Sequence, residues 1–307
     1  MTLQVGTIGS PALLGGDYAD RLALMAQIDA APIDHLFIAD HVSFHNGLGM
    51  DGIVNAATLA ALSPDIRIFI GVYLLALRHP VPVARQLSSL SISAPGRITL
   101  GVGIGGEDRH EMEVCGVDPS TRGRRTNECL AALRDLLSGT PASYDCEFFS
   151  FEDALIKPAP NPAIPVMIGG RSEAALRRTA NHGDGWLAVW CSPRRFTDAT
   201  AQVADMAGAA GREPAWQHGL QIWVGCDDDE NAARERIATE MQQFYHTPFE
   251  AFEKYSPYGR PERIAEFLAP YVEAGAEVLN IKPCAADDEA AIAAVGEVAA
   301  ILKKAFG

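Results

Sequence analysis

The sequence predicts an α/β protein of the (β/α)8 TIM-barrel class, and three observations carry that expectation. Eight short apolar runs are spread from the first residues to the last. Most are continuous rather than alternating, as strands buried on both faces of a parallel arrangement require. Between them lie patterns of apolar residues three and four apart, each marking one stripe on a helix. Strand and helix in alternation imply parallel βαβ units, and eight such units suit a closed barrel better than an open doubly wound sheet.

In chain order the strand-like runs are "LQVGTI" (3–8), "HLFIAD" (35–40), "IRIFIGVYLLA" (66–76), "RITLGVGI" (97–104), "IPVMIGG" (164–170), "GWLAVW" (185–190), "LQIWVGC" (220–226) and "EVLNIKP" (277–283). Helical stripes fall at Tyr18, Leu22 and Met25; at Leu130, Leu133, Leu136 and Leu137; at Ile237, Met241 and Phe244; and at Ile264, Phe267, Leu268, Tyr271 and Val272. Two segments break the repeat. Residues 139–160, with "EFFSF", are too long and too aromatic for a plain connection and read as a hairpin or insertion. Residues 246–261 carry three prolines and four aromatics, and read either as a lid over the barrel mouth or as a packed surface loop. No composition shift marks a boundary, so a single domain over 1–307 is expected.

Of the 307 residues, 48% are apolar and 21% charged, the composition of a globular protein with a sizeable core. The 25 basic and 39 acidic residues leave a net charge of -14 with no long basic run, which argues against a nucleic-acid partner. The start "MTLQVGTIGS" lacks a basic segment followed by an apolar core, and no apolar run approaches ~18 residues, so a cytoplasmic protein without a membrane partner is expected. Six scattered cysteines form no C-x-x-C pair, which disfavours a zinc site or a disulfide framework. His41 and His45 are four apart, but no glutamate follows His41 as in H-E-x-x-H, and no metal site is expected.

Barrels of this class bind ligands at the C-terminal ends of their strands. In "IPVMIGGRSEAAL" and "RITLGVGIGGEDRHEM" an apolar run stops at two glycines and restarts as a helix. Gly169-Gly170 and Gly105-Gly106 are either ordinary tight turns or places where an anion approaches the bare main chain and the N–H groups of the next helix. The other strand ends supply Asp40-His41 with "VSFH", the run "GVYLLALRH", the pair Glu107-Asp108, the pair Arg171-Ser172, and Trp190. Apolar and aromatic groups suit a flat ring system, the glycines its phosphate, and His41 is the neutral-pH proton carrier at the mouth. Phe44, Leu48, Met50, Trp190 and the 246–261 loop make an apolar wall.

These residues, taken in order, resemble the bacterial luciferase-like family of flavin and deazaflavin oxidoreductases. The resemblance runs through "IADHV", "IRIFIGVYLLALRHPVPVARQLSSL", "GRITLGVGIGG", "TRGRRTNECLAALRDLL" and "PVMIGGRSEAALRRTANHGDGW". It implies an eight-stranded barrel with an insertion after about the fourth strand, and a cofactor lying across the strand ends. Gly169, Gly170, Arg171 and Ser172, helped by Gly105 and Gly106, would hold its phosphate. The "DH" pair and "GVGIGG" look more like the branch that uses coenzyme F420 for hydride transfer. The alternative branch uses FMN, reduced by a separate flavin reductase, to insert oxygen.

By the same resemblance Asp40 and His41 sit near the reactive ring, and His41 exchanges a proton with a small-molecule substrate. Many relatives carry an aromatic or acidic residue where Gly106 stands; Glu107 next to it is either a substitute acid or a solvated helix-cap carboxylate. A bulged third strand with a non-proline cis peptide is also implied; aligned on Gly71, that bond falls at Tyr73-Leu74. Dimers are usual in such families. Outside this class, a barrel that binds a phosphate-bearing ligand without turnover would have no need of His41, and a metal hydrolase would want His and Asp at several strand ends.

Overall fold

The computed structural model describes residues 2–45 and 47–307. The chain begins with β1 (Gln4–Ile8), α1 (Pro11–Gly15), α2 (Tyr18–Ala30), β2 (His35–Ile38), the hairpin strands β3 (His41–Phe44) and β4 (Leu48–Met50), and α3 (Gly52–Leu62). It continues with β5 (Arg67–Tyr73), α4 (Pro80–Ser93), β6 (Ile98–Val102), α5 (Arg109–Val114), α6 (Arg122–Leu136), β7 (Ala142–Asp145), β8 (Ser150–Ala154), β9 (Val166–Gly169) and α7 (Glu173–His182). The last third holds β10 (Gly185–Ala188), α8 (Pro193–Ala209), β11 (Gly219–Cys226), α9 (Glu230–Tyr245), β12 (Tyr258–Gly259), α10 (Pro261–Glu273), β13 (Val278–Cys284) and α11 (Asp288–Phe306). Each of the eight strand-like runs is a strand, and helices intervene between them, as the (β/α)8 class requires.

Helix starts are written locally in the sequence. Proline stands at the first helical position of α1, α4, α8 and α10, where its missing N–H is no loss and its fixed φ is already helical. Side chains of Ser10, Asp51, Asp108, Ser172, Ser192, Asp229 and Asp287 accept from N–H groups of the first turns they cap.

The sequence suggests one domain; the described residues group into two compact units, one made of residues 1–37 with Trp186–Gly307, the other of Ile38–Gly185. In the first unit β1 pairs in parallel with β2 and β13, and β11 pairs in parallel with β13, β10 and β12. Its core includes Trp186, Phe196, Val224, Ile237, Leu279 and Val298, all nearly inaccessible to solvent. In the second, β6 lies between β5 and β9, all parallel, and α6 buries Leu130, Leu133 and Leu136. Truncating one such leucine to alanine costs about 2–5 kcal/mol through lost transfer energy and the cavity left behind.

The segment 139–160 holds the antiparallel hairpin β7–β8. Residues 246–261 hold two 3-10 turns, Phe249–Ala251 and Glu253–Tyr255, and then β12. The non-proline cis peptide lies at Gly71-Val72 rather than at Tyr73-Leu74, two residues earlier than alignment on Gly71 suggests. Val72 side-chain atoms occupy space that a Cβ would claim at Gly103, just after β6, and at Gly169, the last residue of β9. Among the described residues no helix is long and apolar enough to cross a membrane.

Candidate active site

The site is built within the second unit, from the ends of β2, β5, β6 and β9. Asp40 follows β2 and is 1% exposed. Expected beside a reactive ring, its carboxylate is instead turned into the protein. Oδ1 accepts from the Gly52 amide at 2.9 Å, Oδ2 from the Leu74 amide at 2.9 Å, and Arg78 donates to both oxygens. Burial pushes the Asp40 carboxyl above its ordinary value, and Arg78 with the two amides pulls the other way. The Arg78 guanidinium also lies 4.4 Å from the centre of the Tyr73 ring and reaches Asp51 at 3.3 Å. Asp40 therefore joins the end of β5 to the start of α3 and fixes the backbone from which His41 projects.

His41 opens β3, and its side chain is 19% exposed. Its Nδ1 stands 3.1 Å from Oε2 of Glu111, whose side chain is only 3% exposed. Oε1 of Glu111 accepts from the backbone N–H of Val42 at 2.7 Å and of Ser43 at 3.3 Å. One turn back along the chain, Asp108 accepts from the His45 amide at 2.7 Å and caps α5 through the His110 amide. Two carboxylates thus satisfy N–H groups of the β3–β4 hairpin and dock it on α5. A carboxylate oxygen accepts, so the hydrogen of this contact lies on Nδ1 of His41.

Glu107, considered as an acid, is exposed and takes no part in the hydrogen bonding around His41. The carboxylate that meets the imidazole is Glu111, which the sequence reading missed. Its signal was present: Asp108 and Glu111 have the D-x-x-E spacing of a capping box, in which the second acid stands in the first helical turn. Among the described residues no group of three or more His, Cys, Asp or Glu side chains is placed to hold a metal.

The glycine turns follow β6 and β9. Gly105 (φ 62°), Gly106 (φ 121°) and Gly170 (φ 119°) adopt backbone conformations that favour glycine. Gly169 serves a different need, since a Cβ there would lie 3.1 Å from Val72 Cγ1. Ser172 caps α7 by accepting from the Ala175 amide at 3.2 Å, and Arg171 beside it is exposed. Arg122, at the start of α6, adds a guanidinium whose buried Nε has no hydrogen-bond partner; a Cβ on Gly106 would come 3.1 Å from that nitrogen. Arg178 of α7 reaches back to the Gly123 carbonyl at 3.1 Å, tying α7 to the first turn of α6.

These features suit a phosphate-bearing group. A helix N-terminus after a bare turn offers N–H donors, and an unsatisfied guanidinium N–H beside a second bare turn needs an acceptor. Gly71 and Tyr73 are buried in β5 with Leu74 beyond them, whereas Val72 between Gly71 and Tyr73 is half-buried and lines the site. Neither Val72 nor Arg78 was singled out from the sequence.

A carboxylate-held histidine follows one strand and glycine turns follow two others, at the strand ends where barrels of this class bind ligands. The chain belongs to the luciferase-like monooxygenase family, whose profile matches residues 3–276. It is 30% identical over 198 residues to an F420-dependent glucose-6-phosphate dehydrogenase of Beutenbergia cavernae, covering 62% of this chain and 58% of that protein. The chain likewise spans little more than half the length of the mycobacterial relatives it matches at 32% identity. Its fold is that of an F420-dependent secondary alcohol dehydrogenase in complex with an F420-acetone adduct, with a TM-score of 0.85, 20% identity, and 98% of this chain and 99% of that one covered. A monooxygenase from Streptomyces bottropensis shares the fold at a TM-score of 0.81 and 17% identity, over 99% of this chain and all of the other.

Proposed function

We propose that this chain is an F420-dependent oxidoreductase acting on a small or medium organic molecule, with His41 as its proton carrier. The observation that carries the reading is the His41–Glu111 pair, in which the carboxylate holds the imidazole through Nδ1. The names of the Beutenbergia relative and of the alcohol dehydrogenase structure support the choice of F420.

Gly105, Gly106, Gly170, Arg171, Ser172 and the orphaned Arg122 Nε would hold the cofactor's phosphate, and Val72 would line its ring. When bound, F420 supplies a two-electron acceptor and donor of hydride. The protein's own task is the proton. Nε2 of His41 takes the hydroxyl proton of an alcohol as hydride leaves the carbon that bears it, and returns the proton in the reverse direction. Glu111 stabilises the imidazolium so formed and keeps the ring from turning. Asp40 and Arg78 hold the backbone beneath and do not touch the reacting atoms.

The fold shared with the Streptomyces monooxygenase favours one alternative, an FMN-dependent monooxygenase fed by a separate flavin reductase. Titrating the apoprotein with F420 and with FMN, followed by fluorescence, separates the two readings. The expected result is tighter binding of F420 and anaerobic turnover with no reductase. An absolute requirement for oxygen and reduced FMN overturns the proposal in favour of the alternative.

A further inference from the structure

Arg178, in α7 of the second unit, is the one buried arginine among the described residues, at 6% exposure. Its partners are neutral: Nε donates to Oδ1 of Asn127 at 2.7 Å, and Nη2 donates to the Gly123 carbonyl at 3.1 Å. A buried guanidinium is ordinarily paired with an acid, as Arg78 is with Asp40 at 2.6 Å. Arg177, the neighbour of Arg178 in the chain, has such a partner in Glu173 at 3.1 Å, and Arg134 has one in Asp184 at 3.2 Å. Acids are not scarce, since the chain holds 39 of them against 25 basic residues. Burial pulls the Arg178 guanidinium below its ordinary value, and no carboxylate opposes the pull.

The uncancelled charge lies against the first turn of α6. A Cβ on Gly123 would come 3.4 Å from Nη2 of Arg178, so bare backbone is what admits the guanidinium there. The residue before Gly123 is Arg122, whose buried Nε has no hydrogen-bond partner and faces Gly106. Thr121 makes no side-chain hydrogen bond to the first turn of this 15-residue helix, whose N-terminal end is itself positive. Two guanidinium groups and a helix end thus meet with no carboxylate among the described residues to balance them. An anion completes such a corner.

Asn127 is what keeps the charge uncancelled. Aspartate has the same shape and would accept the same hydrogen bond from Arg178 Nε, but it would turn the contact into an ion pair.

We infer that Arg178 lends its uncancelled charge to the anion bound at the start of α6, and so selects a phosphate-bearing cofactor over the same ring without its phosphate. The inference rests on the reading of the glycine turns as a phosphate site. Arg122 is the group that would touch the anion. Arg178 is a positioning residue behind it, acting through the field at Gly123 and through its hold on that turn.

The test titrates the cofactor-free protein with F420 and with the ribityl deazaflavin that lacks the phosphate, following fluorescence. Asn127→Asp should keep or raise the thermal midpoint, because Arg178 gains an ion pair, yet weaken F420 by about tenfold, as loss of a unit charge at a partly buried place implies. Affinity for the phosphate-free ring should not change. Arg178→Met should show the same selective loss, and Arg178→Lys, which keeps the charge, should stay near the parental value. Parental F420 affinity in Asn127→Asp, or equal losses in Arg178→Lys and Arg178→Met, overturns the inference and leaves F420 dependence intact. If F420 does not bind the parent, the F420 reading fails, and calorimetry with inorganic phosphate decides the role of Arg178. Weaker phosphate binding in Asn127→Asp than in the parent and in Arg178→Lys upholds it; equal binding, or none in the parent, overturns it.

Discussion

The guanidinium of Arg78 grips the Asp40 carboxylate with both terminal nitrogens, at 2.6 Å from Oδ2 and 2.8 Å from Oδ1. With Arg78→Met the carboxylate is left buried on two amide hydrogen bonds alone, and breaking such a pair from one side costs about 3–5 kcal/mol. Burial already drives the Asp40 carboxyl upward, so without Arg78 it takes a proton more readily. A carboxyl raised in the folded state is best tolerated at low pH, and the stability deficit should widen as pH rises. Urea denaturation at pH 5 and pH 8 checks this; a deficit independent of pH would show that Asp40 stays ionised without Arg78.

For the proposed proton carrier, His41→Asn keeps hydrogen bonding and approximate size but removes the imidazole. Turnover should fall by ~100- to 10,000-fold, the usual worth of general acid or base help, while F420 affinity changes little. Glu111→Gln should lower kcat by about tenfold to 100-fold with KM near parental, because the imidazolium loses its carboxylate. If both variants keep the parental rate, the proton travels by another route.

At the glycine turn after β9, Ser172→Asp separates capping from anion binding. Aspartate is as good an N-cap as serine, so the thermal midpoint should hold or rise slightly. The added charge would face a cofactor phosphate, and F420 affinity should drop at least tenfold, with Ser172→Asn near parental. Unchanged affinity in Ser172→Asp would place the phosphate away from α7. Gly169→Val is a poorer probe than the sequence suggests, since its side chain would strike Val72 before it met any ligand.

A fourth expectation concerns acid. Burial pushes His218 down to about 4, and its Nδ1 accepts the Trp186 amide at 3.1 Å in the neutral form. A histidine lowered in the folded state contributes in full above the unfolded value near 6.5 and loses that contribution as pH falls toward 4. The shift corresponds to about 3–4 kcal/mol. Stability measured by urea at pH 7.5, 6, 5 and 4 should decline over that window, and His218→Gln should flatten the decline. A parallel decline in the variant would assign the acid sensitivity to other groups.

The eight parallel strands were legible because burial on both faces leaves an unmistakable apolar run, and the helices because apolar residues three and four apart mark one buried stripe. The β3–β4 hairpin was not, since its short strands are held by carboxylates from α5 and not by an apolar pattern. His41 could be picked out by its place after a strand; Asp40 next to it could not be assigned an orientation, because one residue's step in the chain turns a side chain to the opposite face. Glu111, Arg78 and Val72 act across distances of 38 to 70 residues, or through space left by glycines on other strands, and pairings of that kind leave no local trace.

One carboxylate, that of Glu111, holds both the imidazole of His41 and the amides of Val42 and Ser43. Those two N–H groups can exchange their hydrogens with solvent only when Glu111 lets go, and letting go also takes its carboxylate from the imidazole. Deuterium uptake at Val42 and Ser43 is therefore a direct gauge of how often the His41–Glu111 pair opens, readable residue by residue without turnover, substrate or cofactor.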